Sequence, residues 1–134
     1  MIITLLIVAI LVGISYPSYN DILLKARRVE AQTSLMAFAN AMERHYIQNN
    51  SYLGAAVAGA NTGSPAVFSD VAPLGGGTAI YELSISTASH SSYTLMATPI
   101  GRQVSDKCGS LTLNELGIKG INNSGIGVTV KDCW

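Results

Sequence analysis

The sequence predicts an α+β protein in which a long N-terminal α-helix packs on a four-stranded antiparallel sheet. Three observations predict it: an apolar run from Met1 to Tyr16 that continues past Pro17 into an amphipathic stretch, short segments of alternating polarity after residue 79, and two cysteines confined to the last fifth of the chain. At 134 residues the chain fits one domain plus an appendage. Removing the apolar run leaves roughly a hundred residues, enough for one modest core.

The residues from Met1 to Asn20 carry no charge. A helix over Met1 to Tyr16 is about 24 Å long at ~1.5 Å per residue, short of the ~30 Å hydrocarbon core of a bilayer. Leu5, Leu6, Val8, Ile10, Leu11, Val12 and Ile14 make this half apolar all round, so it needs lipid or copies of itself to cover it. It does not read as a cleaved signal, because no basic residue precedes it and Pro17-Ser18-Tyr19 is a poor cleavage context. Pro17, which cannot donate its amide, marks an expected kink or local unwinding between the two helical halves, and Ser18 with Asp21 resembles an N-terminal cap for the second half.

Past the proline, Ala31, Leu35, Phe38, Met42 and Tyr46 recur at four- and three-residue steps, while Arg27, Glu30, Ser34, Arg44 and Gln48 mostly fall elsewhere. That is a helix with one buried stripe, ended by Asn49-Asn50-Ser51. Residues 51–77, rich in Gly, Ala, Ser and Asn, read as a long surface loop closing on Gly75-Gly76-Gly77. Tyr81, Leu83 and Ile85 alternate with polar residues, as do Tyr93, Leu95 and Ala97 after a His90-Ser91-Ser92 turn, which makes a hairpin. Leu111 with Leu113, and Ile126, Val128 and Val130, supply the third and fourth strands. The division is residues 1–20 as the membrane or filament-core half and 21–134 as the head.

Eight basic residues balance eight acidic ones and only 12% of the chain is charged, so there is no overall bias towards nucleic acid. Behind an export-competent apolar segment, Cys108 and Cys133 read as one disulfide formed in an oxidising compartment, stabilising the fold by roughly 3 kcal/mol. His45 and His90 stand apart from each other and from the cysteines, and Gly75-Gly76-Gly77 precedes a strand without a following Lys and helix. The expectation is a protein with no catalytic set, no metal and no cofactor. Lys25, Arg27 and Arg28 form a short basic patch, read as a solvated or inter-subunit face at the membrane edge. Its position after the apolar run argues for a cytoplasmic head, against the disulfide, unless basic residues lie upstream of Met1, which is the expectation.

The segments Ile14-Ser-Tyr-Pro-Ser-Tyr-Asn20, Arg27-Arg28-Val-Glu-Ala-Gln32, Glu43-Arg-His-Tyr-Ile-Gln-Asn-Asn50, Tyr93-Thr-Leu-Met-Ala-Thr-Pro99, Cys108-Gly-Ser-Leu-Thr-Leu-Asn114 and Asp132-Cys-Trp134 occur in the order found in type IV pilins. Together they cover nearly the whole chain, which resembles that family, and its closing blocks most resemble the minor pilins of Gram-negative bacteria. The resemblance implies the type IV pilin fold and an inner-membrane protein that assembly machinery extracts into a helical filament of like or related pilins. It implies that the apolar half exchanges lipid for neighbouring helices, that Gly13 and Pro17 sit where pilin helices loosen on assembly, and that Cys108 and Cys133 bound an exposed loop. The family's basic leader, its glycine before the processing site and its glutamate near the mature N-terminus are absent, and alignment on Pro17 places them upstream of Met1. Leader processing and N-terminal methylation are therefore family expectations only.

The function expected is a structural subunit of a type IV pilus serving adhesion, twitching motility or DNA uptake. The alternatives are a DNA-receptor minor pilin and a pseudopilin of a secretion system. A receptor would draw on Arg102, Lys107, Lys119 and Lys131, with Lys25, Arg27 and Arg28 as further candidates for DNA or subunit contact. Because Asp106, Glu115 and Asp132 share that neighbourhood, residues 101–134 net only +1, and the structural subunit is preferred.

Overall fold

The computed structural model describes residues 1–13 and 19–134. The break expected at Pro17, the Ser18 cap and the filament-core assignment of Ile14 lie outside the described residues. Helix α1 spans Ile2–Asn49, and Gly13 keeps helical backbone. The helix break that the resemblance places at Gly13 is therefore absent from the single chain: one glycine lowers helix propensity by about 1 kcal/mol but removes no hydrogen bond, and loosening there belongs to assembly. Asn50 ends the helix in the left-handed region at φ 54°, donating its N–H to Tyr46 O at 2.6 Å. Asparagine tolerates that conformation better than most side chains.

Five antiparallel strands form a meander in sequence order: β1 Val71–Ala72, β2 Tyr81–Ala88, β3 Tyr93–Pro99, β4 Ser110–Asn114 and β5 Lys119–Asn122. Pairs such as Leu83 with Ala97 and Ala97 with Leu111 put Leu83, Ile85, Leu95, Leu111 and Leu113 on one face. That face closes over Ala31, Leu35, Phe38 and Met42 of α1. Ser34, expected on the solvent side, is buried as well; its hydroxyl donates to Glu30 O within the helix at 2.9 Å, so burial leaves it satisfied. Among the described residues, every buried side chain lies at or beyond Leu24. Among the described residues, the core therefore draws nothing from positions 1–13.

Two sequence readings are corrected. The loop over residues 51–77 contains a short 3-10 turn and the edge strand β1, and it packs inward: Tyr52, Ala55 and Ala56 are buried, and Phe68 stacks on Phe38 at 5.2 Å between ring centroids. Its small residues allow a close backbone approach that composition alone, which suggests a surface loop, does not reveal. The last strand is Lys119–Asn122, not the segment through Ile126, Val128 and Val130. Gly125 and Gly127 flank Ile126, Gly127 has φ +77°, and Ile126 is fully exposed at 108%. A capping box between Thr129 and Asp132 then starts the short helix α2, Val130–Cys133.

Gly109, at φ +60°, joins Cys108 to β4, and a Cβ there would overlap the carbonyl oxygens of Asn122 and Asn123. Only glycine lets these two segments approach so closely.

Candidate functional site: an exposed apolar helix and a stapled C-terminal edge

Leu5, Leu6, Val8, Ile10, Leu11 and Val12 are all exposed, Leu5 at 71%. Thr4 hides its hydroxyl by donating to Met1 O. An apolar surface of this extent on a single chain marks an interaction site. Among the described residues, no helix is long and apolar enough to cross a membrane.

Where α1 enters the head, its polar side chains turn inward. Arg28 donates through Nε to Asp106 Oδ2 at 2.9 Å and through Nη2 to Oδ1 at 2.8 Å, and its Nη1 reaches Asp132 O at 3.4 Å. One turn on, Gln32 Nε2 donates to Cys133 O at 2.6 Å. Gln103, fully buried, donates through Nε2 to Leu24 O at 2.9 Å and to the Tyr81 hydroxyl at 3.1 Å. Hydrogen bonding to Asp106 raises the Arg28 pKa above its usual value, outweighing burial. Burial pushes the Tyr81 hydroxyl up to about 12. The hub thus ties the turn at Gly101–Ser105 and the C-terminal residues to one helix face.

The disulfide Cys108–Cys133 closes the same region, with Cα atoms 5.8 Å apart. Between the cysteines lie β4, β5 and the loop to α2. Gly125 N donates to Lys107 O at 2.8 Å, Trp134 Nε1 donates to Gly120 O at 3.0 Å, and Lys119 Nζ lies 5.4 Å from the Trp134 ring centroid. The C-terminal edge is therefore held at both ends.

The predicted basic residues separate into three groups. Arg28 is withdrawn from any surface role, because its guanidinium is buried against Asp106. Lys107, Lys119 and Lys131 are exposed on the disulfide-bounded edge, and Lys25 and Lys107 line a cleft of about 340 Å³ together with Asp21 and Asp132. Arg27, half-buried, and Arg102, exposed, lie together beside α1.

The carboxylates are unevenly available. Asp106 is neutralised by Arg28, and Glu115, partly buried, accepts the Tyr93 N–H at 3.1 Å. Asp132 accepts the Thr129 N–H and hydroxyl, which lower its pKa. His45 is engaged with Leu53 O at 2.8 Å, and the described residues hold no cluster of His, Cys, Asp and Glu suited to a metal.

Sequence reasoning missed Asp106, Gln103, Tyr81 and Gln32 as a set. Asp106 lies 78 residues from Arg28, and no local pattern distinguishes it from the other acids.

Residues 17–112 match the family described as type IV minor pilin ComP, DNA uptake sequence receptor. Among solved structures, a type IV pilin from Shewanella oneidensis is 28% identical, with a TM-score of 0.53, over 83% of this chain and 97% of that one. The non-core minor pilin PilV of Neisseria meningitidis shares the fold at 21% identity and a TM-score of 0.58, over 81% of this chain and 93% of its own. No curated protein matches the chain. The family match, the pilin fold and the exposed apolar helix converge: the chain belongs to the ComP family of type IV minor pilins and is a subunit of a type IV pilus.

Proposed function

We propose that this pilin is anchored in the inner membrane by its apolar half, passes through the assembly machinery into the filament, and there presents its disulfide-bounded edge to double-stranded DNA. The observation that carries the DNA reading is the burial of Asp106 against Arg28. In the sequence, residues 101–134 net +1, which argues against a DNA surface. With Asp106 sequestered, the carboxylates left within residues 101–134 to oppose Arg102, Lys107, Lys119 and Lys131 are Glu115 and Asp132, and both already accept hydrogen bonds within the head. The description of the matched family as a DNA uptake sequence receptor supports the same reading.

The mechanism is electrostatic capture. Lysines on a braced edge neutralise backbone phosphates and release counterions, which supplies affinity without reading sequence. The disulfide, the capping box at Thr129 and the Gln32 bond keep that edge from spending binding free energy on ordering itself.

Because every buried side chain among the described residues lies at or beyond Leu24, a fragment of residues 19–134 is suited to the test. Fluorescence anisotropy with duplex oligonucleotides should show binding that falls steeply with salt. Replacing Lys107, Lys119 and Lys131 by alanine should weaken it across all sequences, each lysine that contacts a phosphate lowering the salt slope by about 1. A head that binds no duplex at low salt is a pilus subunit without a receptor role.

A further inference from the structure

Two clefts meet at the base of the head, on the side where α1 leaves it towards the apolar half. One, of about 210 Å³, runs along α1 past Tyr19, Leu23 and Arg27 to Arg102. The other, of about 390 Å³, lies between Arg27, Arg102 and the segment leading into β2 at Thr78 and Ile80. Both arginines line both clefts, and no carboxylate lines either. Among the described residues the ion pair is Arg28 with Asp106, so neither Arg27 nor Arg102 has an acidic partner.

Two arginines lining a cleft without a counter-charge suit an anion with several oxygens. Their planar donor forks match phosphate better than a point-charge ammonium would. The cleft also has a direction. Arg27 shares it with Leu23 and Tyr19, one and two turns earlier, as expected of a helical side chain that leans towards the N-terminus. At ~1.5 Å per residue, Leu23 lies about 10 Å beyond the end of the apolar run. The headgroup layer adds about 5–8 Å outside the hydrocarbon core, and a long arginine side chain covers the difference by reaching down. Tyr19, exposed beside the cleft, is the residue type that settles at such a boundary.

We propose that Arg27 and Arg102 form a clamp for the phosphate of an anionic phospholipid headgroup, seating the base of the head on the membrane before assembly. The inference rests on the reading of the apolar half as a bilayer anchor. Free inorganic phosphate offers the same oxygens, and a DNA backbone offers similar ones, so the experiment separates the three.

The full chain is reconstituted into nanodiscs of phosphatidylcholine with a minor fraction of phosphatidylglycerol. Co-purifying lipid is read by native mass spectrometry, and amide exchange is followed at residues 78–80 and 100–102. The wild-type chain should retain phosphatidylglycerol several-fold over phosphatidylcholine, with those amides protected. R27Q/R102Q should bring the ratio to parity. R27K/R102K, which keeps charge but loses the forks, should fall between, and R44E, which removes the same two units of charge farther up α1, should leave the ratio unchanged.

A wild-type ratio in R27Q/R102Q, or an equal loss in R44E, overturns the clamp. So does full amide protection of the chain in phosphatidylcholine by millimolar phosphate, which makes free phosphate the ligand. Loss of duplex binding by the R27Q/R102Q head, with lipid retention intact, assigns the pair to DNA instead. The anchor reading fails separately, and takes the clamp with it, if the full chain does not float with neutral vesicles.

Discussion

Arg28 and Asp106 meet through two parallel hydrogen bonds, at 2.9 and 2.8 Å, with both side chains buried. The pair joins the second half of α1 to the turn that precedes the disulfide. A buried pair contributes little or nothing over a well-packed apolar pair, but losing one member leaves an uncompensated charge. Asp106→Ala should therefore destabilise residues 19–134 by about 3–5 kcal/mol in urea unfolding, while Arg28→Met with Asp106→Leu should cost much less. Equal losses in the two variants would show that packing, not charge, dominates at this site.

The disulfide closes a loop spanning 25 positions along the chain. Reduction, or Cys108→Ser with Cys133→Ser, should lower head stability by about 3 kcal/mol through loop entropy. Hydrogen exchange should localise the added opening to β5 and α2, because β2 and β3 keep their pairing without it. Mass spectrometry of the unreduced head should show Cys108 linked to Cys133.

Alkaline pH should unfold the head through its buried phenols. Tyr81 is fully buried with its hydroxyl pushed up to about 12, and burial raises Tyr93 further. In the unfolded chain a tyrosine ionises near pH 10. The folded state holds the proton more tightly, so this stability is complete below about pH 10 and is lost as pH rises towards about 12. Urea midpoints between pH 9 and 12 should fall, and Tyr81→Phe should flatten the slope by about one proton.

The apolar half can be separated from the head by one charge. Val8→Lys places a cation in the exposed run, where a lysine at a helix centre costs about 2.5–3.5 kcal/mol on insertion scales. Membrane fractionation and filament sedimentation should show the variant lost from both. The melting temperature of its head should be unchanged, since no buried side chain among the described residues precedes Leu24. A fall in head stability would mean that the two halves share a core.

The strongest periodicities were legible because a single buried face repeats in the residues themselves. Ala31, Leu35, Phe38 and Met42 mark the helix stripe, and Tyr81, Leu83 and Ile85 mark β2. Strand β5 was illegible for the opposite reason. Lys-Gly-Ile-Asn at residues 119–122 has one apolar side chain, and it becomes a strand because β4 offers it a ladder. Ile126, Val128 and Val130 have the right alternation without a partner, and the glycines around Ile126 release the chain from extended pairing. Local preference yields where hydrogen bonds to a neighbour are on offer.

By itself, the sequence determined an uncharged helix in need of lipid or other helices, an amphipathic continuation, a hairpin and a cystine, because each depends on neighbours a few residues apart or on the two cysteines alone. Only the tertiary structure decided which charges the surface keeps. Arg28 and Arg27 are adjacent in the chain, yet successive helix positions lie about 100° apart, so one is buried on Asp106 while the other lines a cleft with Arg102. Which side of that division a residue takes depends on partners some 75 residues away, and local sequence carries no record of them.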